Sequence, residues 1–285
     1  MGGFVYVNGE VVEREAATVS AFDRSFLYGD GLFETVRAYG GVPFLMAEHI
    51  DRLADSASAL GIPMPARDAL AGAAARLIEL NGLGDAYLRI TLSRGTHAGA
   101  LAPDGPMEPA LVIEARELRP CPSGLYERGA KVAVSSLTHD SASPVRRHKT
   151  TSYIASILAK REAKERGADE AVLLDAAGRV AEGATSNVFC VRGGRLATPP
   201  LDLNILPGVT RAAVIALGRT AGHAIDEAAF GLAELKYADE VFLTNSLMEV
   251  MPVRSVEGRE IPNAPGPVTR LLRRAYGELA ARGRA

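Results

Sequence analysis

Apolar residues cluster in short alternating runs at the start of the chain. Phe4-Val5-Tyr6-Val7 and Val11-Val12 flank Asn8-Gly9, and an Asn-Gly pair readily supplies the positive φ angles of a hairpin turn. The pattern recurs where Gly31 to Tyr39 and Val42 to Leu45 flank Gly40-Gly41. From Ala47 to Leu60 the period lengthens, placing Ile50, Leu53, Ala57 and Leu60 on one helix face. Gly61-Ile62-Pro63 stops that helix. A second helix is predicted over Arg67 to Leu80, with strands over Ala86 to Ser93 and Ala110 to Ala115. This first part of the chain reads as mixed α+β.

The run Arg119-Pro120-Cys121-Pro122-Ser123-Gly124 disfavours both helix and central strand. It marks a linker over residues 119–125, between a smaller α+β domain over 1–118 and a larger domain over 126–285. In the larger domain the pattern predicts a strand at Lys131 to Ser136 and a helix from Thr151 to Arg166. Strands follow at Glu170 to Asp175 and Asn187 to Val191, with a turn at Asp175-Ala176-Ala177-Gly178. A helix from Gly208 to Ala221, a strand at Glu240 to Thr244 and an amphipathic helix at Val268 to Ala281 complete the order. Strands and helices do not alternate as a doubly wound sheet requires, so the expected class is α+β.

The chain's 285 residues, 47% hydrophobic and 23% charged, suffice for a substantial core in two lobes. A net charge of -2 and a pI near 6.3 give no general reason to expect a nucleic acid or a membrane surface as partner. Cys121 and Cys190 are too few for a disulfide framework or a four-thiolate metal site, which fits a reducing cytoplasm. His49, His97, His139, His148 and His223 show no zinc-binding spacing, and no Walker sequence is present. Met1 to Asn8 lacks the pattern of an export signal, and no 18-residue uncharged apolar stretch occurs. The expectation is a cytoplasmic protein that needs no metal.

The chemistry centres on Lys149, in Arg146-Arg147-His148-Lys149-Thr150-Thr151-Ser152-Tyr153, and on Glu182, which opens Glu182-Gly183-Ala184-Thr185-Ser186-Asn187-Val188-Phe189. A lysine amine forms a Schiff base with an aldehyde, and a carboxylate against a pyridine nitrogen keeps it protonated and makes the ring an electron sink. The pair points to pyridoxal phosphate chemistry.

Six segments in order carry a resemblance. They are Phe26-Leu27-Tyr28-Gly29-Asp30-Gly31-Leu32-Phe33-Glu34-Thr35, His49-Ile50-Asp51-Arg52-Leu53, the Lys149 and Glu182 segments, Leu206-Pro207-Gly208-Val209-Thr210-Arg211, and Thr244-Asn245-Ser246. Across nearly the whole chain they resemble the class IV aminotransferases, the fold type IV pyridoxal phosphate enzymes. That family includes branched-chain and D-amino acid aminotransferases and 4-amino-4-deoxychorismate lyases. The resemblance implies its two-domain architecture, with a larger cofactor-binding domain, and a homodimer.

It also implies roles. Lys149 would carry the cofactor and move a proton between the substrate's Cα and the cofactor. Glu182 would face the pyridine nitrogen, with Ser186 and Asn187 following it at the cofactor. The phosphate would meet Gly208, Val209 and Thr210 at a helix start, where N–H groups and the helix dipole favour an anion. Arg52 and Ser246 would assist there, while Arg211 reads either as a site residue or as a paired structural one. Tyr153 lies four residues after Lys149 and would approach the cofactor's phenolic oxygen. That spacing matches the D-amino acid aminotransferases and the lyases, since branched-chain enzymes have one residue more. Arg37, Arg89, Arg94 and His97 are candidates for the substrate carboxylate, with Tyr28 and Leu247 as pocket walls. His148 reads as structural.

Both family reactions begin with removal of the Cα proton. A transaminase then passes the amino group to a 2-oxo acid such as 2-oxoglutarate, whereas the lyase releases pyruvate and 4-aminobenzoate. Phe33-Glu34-Thr35-Val36-Arg37-Ala38-Tyr39 resembles the aminotransferases; Thr244 to Pro252 resembles the lyases, because branched-chain enzymes usually carry a Gly-Thr-Ala-Ala type loop there. The leading expectation is an aminotransferase acting on a D-amino acid or a branched-chain amino acid. The alternatives are the lyase and a noncatalytic carrier of the cofactor.

Overall fold

Asn8 and Gly9 adopt φ angles of 49° and 104°, and the turn they form joins β1 (Phe4–Val7) antiparallel to β2 (Glu10–Glu13). The computed structural model that gives this fold describes residues 3–97, 101–102 and 107–283. Its packing divides the chain into two units. One takes the chain up to Arg119 together with His148–Tyr153; the other takes Pro120–Arg147 and Ile154–Arg282.

The first unit continues through α1 (Arg24–Tyr28), β3 (Gly31–Tyr39), β4 (Val42–Pro43), α2 (Met46–Leu60), α3 (Arg67–Leu80), β5 (Ala86–Ser93) and β6 (Ala110–Glu117). Its sheet runs β2-β1-β6-β5-β3-β4 among the described residues. Side chains alternate across a strand, so Leu32, Val36 and Ala38 of β3 and Leu88, Ile90 and Leu92 of β5 share a face. They pack with Ile50, Leu53, Leu70 and Leu77 of α2 and α3, and each buried leucine contributes roughly 1.5–3 kcal/mol relative to exposure. The opposite face carries Phe33 and Arg89. The predicted spans of β3, β5 and α3 are those observed. The short helix α1 has no such periodicity and goes unread; Asp23 caps it by accepting from the Ser25 N–H.

The second unit contains α4 (Ser123–Arg128), β7 (Ala130–Val134), α5 (Ile154–Glu165), β8 (Glu170–Leu174), β9 (Val180–Gly183), β10 (Asn187–Arg192), β11 (Arg195–Thr198) and α6 (Val209–Thr220). There follow β12 (Ile225–Glu227), α7 (Leu232–Lys236), β13 (Glu240–Asn245), β14 (Glu249–Val256), β15 (Arg259–Glu260) and α8 (Pro267–Arg282). Among the described residues one sheet runs β12-β11-β10-β13-β14-β7-β8-β9, with β15 beside β14. The segment read as a linker contains the start of α4. Strand β14 escapes the sequence pattern because Pro252 interrupts it. The strand tolerates that proline opposite Phe242 because pairing with β7 begins only at Val253.

Candidate active site

Lys149 was expected just before a helix; the structure places it on an extended strip at the edge of β3. Phe33 donates its N–H to the Lys149 carbonyl at 2.9 Å, Thr151 donates to Gly31 at 2.9 Å, and Leu32 and Thr150 form an antiparallel bridge. These backbone groups are committed to the strand, so α5 starts at Ile154 rather than at Thr151. Gly29, at φ 69°, abuts the strip so closely that an added Cβ would lie 2.1 Å from the Ser152 Oγ. His148 bonds the other way, from Nδ1 to the Ser56 hydroxyl at 3.0 Å.

The Lys149 amine stands 3.5 Å from the Tyr153 hydroxyl and 4.5 Å from the centroid of the Phe33 ring. Phe33 meets Tyr153 edge-on at 5.1 Å. Thr35 pairs with Arg89 across β3 and β5, and the Arg89 guanidinium stacks on Phe33 at 3.9 Å. No described carboxylate forms an ion pair with Arg89. The Phe33 ring therefore contacts both cationic side chains.

Arg52 projects from α2 onto Glu34, which lies on the apolar face of β3. Its Nε and Nη2 donate to the two carboxylate oxygens at 2.8 Å and 2.6 Å, and the His49 Nδ1 donates to Oε2 at 2.7 Å. Burial alone would raise the Glu34 pKa, but the Arg52 charge and the His49 and Arg52 hydrogen bonds outweigh it and hold the group at about 2. Burial pushes His49 below its ordinary value, against the pull of Glu34; the Arg52 and Lys149 charges add to the depression.

The other candidates of this unit are engaged elsewhere. Arg94 donates to Asp30 and to the Leu60 and Gly61 carbonyls, and Arg24 shares Asp30 at 2.7 Å. Arg37 stacks on Tyr39 at 4.3 Å and lies 3.8 Å from Asp85. His97 follows β5 and is partly buried. Tyr28, at the end of α1, is half exposed.

In the second unit Glu182 lies on β9, where Oε2 accepts the Leu206 N–H at 3.0 Å. Fully buried His139 stands behind it, with Nδ1 3.6 Å from Glu182 Oε1. The His139 Nε2 donates to the Leu203 carbonyl at 2.9 Å, which fixes the ring's orientation. Burial depresses the His139 pKa despite that bond, and the Arg146 charge acts in the same direction.

Asn187 donates to the Leu206 carbonyl at 2.9 Å and closes on Gly208, where an added Cβ would lie 2.0 Å from Asn187 Oδ1. Gly208 is the N-cap of α6, so Val209 and Thr210 fall in its first turn, where N–H groups lack intrahelical acceptors. The Thr210 hydroxyl lies 3.4 Å from that of Tyr276. Arg211 is structural: it is buried and donates to the Pro199 carbonyl and to Glu227. Between β13 and β14 the Asn245 side chain accepts the Leu247 and Met248 N–H groups, which shapes the turn carrying Ser246 and Leu247.

Each unit, taken by itself, carries groups that suit part of a phosphorylated pyridine aldehyde. The first unit holds the amine; the second holds a carboxylate and an anion-compatible helix start. The buried hydroxyls of Ser186 and Thr244 have no hydrogen-bond partner among the described residues, and such buried groups call for a polar occupant. Sequence reasoning missed Glu34, His49 as a side-chain donor, His139 and Thr244. Glu34 left a signal, a charge in the apolar row of β3; His139 left none. Among the described residues no group of three or more His, Cys, Asp or Glu could hold a metal ion, and no described helix is long and apolar enough to cross a membrane.

Comparison with known proteins gives one family. The sequence model described as amino-transferase class IV matches residues 31–256. The chain is 35% identical over 293 residues to a branched-chain-amino-acid aminotransferase of Pseudomonas aeruginosa, covering 98% of this chain and 93% of that one. It is 34% identical over 280 residues to a D-alanine aminotransferase of Listeria monocytogenes, covering 96% and 95%. The crystal structure of a branched-chain amino acid aminotransferase of Escherichia coli superposes with a TM-score of 0.93 at 32% identity, over 98% of this chain and 95% of the other.

Proposed function

This chain belongs to the class IV aminotransferases, a pyridoxal phosphate-dependent family with the type IV fold, and we propose that it moves the amino group of a branched-chain amino acid to a 2-oxo acid such as 2-oxoglutarate. The observation that carries this reading is the Lys149 amine, beside the Tyr153 hydroxyl and on a ring shared with Arg89. The preference for a branched-chain substrate takes its support from the relatives bearing that name.

When bound, pyridoxal phosphate supplies an electron sink that makes the substrate's Cα–H acidic. Lys149 would hold the cofactor and would serve as the base and acid that takes up and returns the proton of the substrate's Cα. Tyr153 orients that amine through its hydroxyl. Glu182, fixed by Leu206 and backed by His139, would hold the proton on the pyridine nitrogen. Ser186 and Asn187 would also hold the cofactor, with Thr244 paired to Asn187 across β10 and β13. Val209 and Thr210, in the first turn after Gly208, would hold the phosphate with Ser246, and Arg52 of the first unit is assigned to the same group.

Arg89 binds the substrate carboxylate, since Arg37 and Arg94 are held by Asp85 and Asp30. Tyr28, from a neighbouring subunit, and Leu247 are assigned as pocket walls, and His97 as a further candidate for the substrate. The chain also assembles as a homodimer: Phe22 and Phe26 are 73% and 76% exposed around α1, an apolar surface of the kind that partners cover. Cys121 and Cys190 are both free, which supports a cytoplasmic setting.

The test is to offer the cofactor-loaded protein leucine with 2-oxoglutarate, D-alanine with 2-oxoglutarate, and aminodeoxychorismate. Glutamate formed fastest from leucine is the expected result. Faster transfer from D-alanine would reassign the substrate. Release of 4-aminobenzoate without amino transfer would install the lyase reading, which the Thr244 to Pro252 segment resembles.

A further inference from the structure

Glu34 sits where alternation along β3 calls for an apolar side chain, in the row of Leu32 and Val36. It is 1% exposed and receives three short hydrogen bonds, two from Arg52 and one from His49. A buried ion cluster of this kind is a weak source of stability, because desolvating the charges offsets most of their attraction and apolar replacements often serve a fold as well. A role beyond stability is therefore indicated.

The geometry supplies that role. His49 and Arg52 stand three residues apart on α2, hence on one helix face. His49 holds Oε2 from one side while the Nε and Nη2 edge of Arg52 occupies both carboxylate oxygens. The carboxylate cannot rotate, and a planar guanidinium forked onto it cannot swing. Its Nη1 is thereby aimed away from Glu34.

We propose that Glu34 and His49 are positioning residues for Arg52, locking the plane of its guanidinium so that Arg52 grips a phosphate monoester, the phosphate of the cofactor, in one orientation. The proposal rests on the reading of Arg52 as a phosphate-binding residue. Neither residue touches the cofactor in this account. Both act by removing the freedom that Arg52 would otherwise lose on binding.

The experiment compares the dissociation constants of pyridoxal phosphate and of pyridoxal, which lacks the phosphate, for the apoprotein by equilibrium dialysis. In Glu34→Gln the amide turns an N–H donor toward the donors of Arg52 or His49, so the fork opens. Affinity for pyridoxal phosphate should fall about tenfold while that for pyridoxal changes less than about twofold. His49→Asn retains the fork and should cost about threefold, again only for the phosphorylated ligand. Glu34→Asp, which restores a carboxylate, should recover part of the loss.

Equal weakening of both ligands in Glu34→Gln would assign the cluster a purely structural role and overturn the proposal. An unchanged ratio in Glu34→Gln, with a collapsed ratio in Arg52→Ala, would overturn it while leaving the Arg52 reading intact. An unchanged ratio in Arg52→Ala would overturn both. Should Glu34→Gln fail to fold, His49→Asn decides: an unchanged ratio there contradicts the positioning role.

Discussion

The Lys149 amine and the Tyr153 hydroxyl lie 3.5 Å apart, brought together by a non-helical stretch whose lysine end is paired to β3. Tyr153 also packs its ring edge against Phe33 at 5.1 Å. Tyr153→Phe keeps that packing and deletes the hydroxyl. Turnover is expected to fall about tenfold, the equivalent of ~1.4 kcal/mol of barrier, with the melting temperature nearly unchanged. Steady-state kinetics beside a thermal melt checks both halves; equal losses of stability and turnover would contradict the assignment.

Glu182 supports a second prediction. In Glu182→Gln the side-chain oxygen still accepts the Leu206 N–H, so the loop ahead of α6 stays in place, but the negative charge is lost. Turnover is expected to fall by a factor on the order of 100 or more, the scale of losing one preorganised electrostatic group. The visible absorbance of the cofactor should persist, because the substitution leaves the proposed attachment at Lys149 in place. Spectra and kinetics on one preparation separate the two effects.

Acid should loosen the first unit through Glu34. Its folded pKa, about 2, lies below the ordinary 4.5, so the unfolded chain takes up this proton first as the pH falls. The stabilisation is complete above 4.5 and is lost as the pH drops from there through 2, a change on the order of 3 kcal/mol. His49, depressed from 6.5, adds a loss of the same sign beginning below that value. Denaturant melts of the parent and of Glu34→Gln across this range test it: the parent should lose stability more steeply as the medium becomes acid.

Much of the frame was legible because periodicity is local. Strand β5 and helix α3 occupy their predicted spans since each meets one uninterrupted apolar face. The identities of Lys149 and Glu182 were legible as chemistry, while their surroundings were not: Phe33 reaches Lys149 only through pairing between distant segments. The same holds for α5, whose start moved because the residues before Ile154 bond to β3. Arg89 and Arg94 are both carboxylate candidates in the sequence. Asp30 and two carbonyls distinguish them in the fold.

Pyridoxal phosphate should attach to Lys149 and to no other lysine. The most direct measurement is to load the protein with pyridoxal phosphate, reduce it with borohydride, digest it and locate the pyridoxyl group by mass spectrometry. The account predicts one labelled peptide with the modification on Lys149, and no labelled peptide from Lys149→Ala. A stable label on another lysine, or an unlabelled parent protein after reduction, would contradict it.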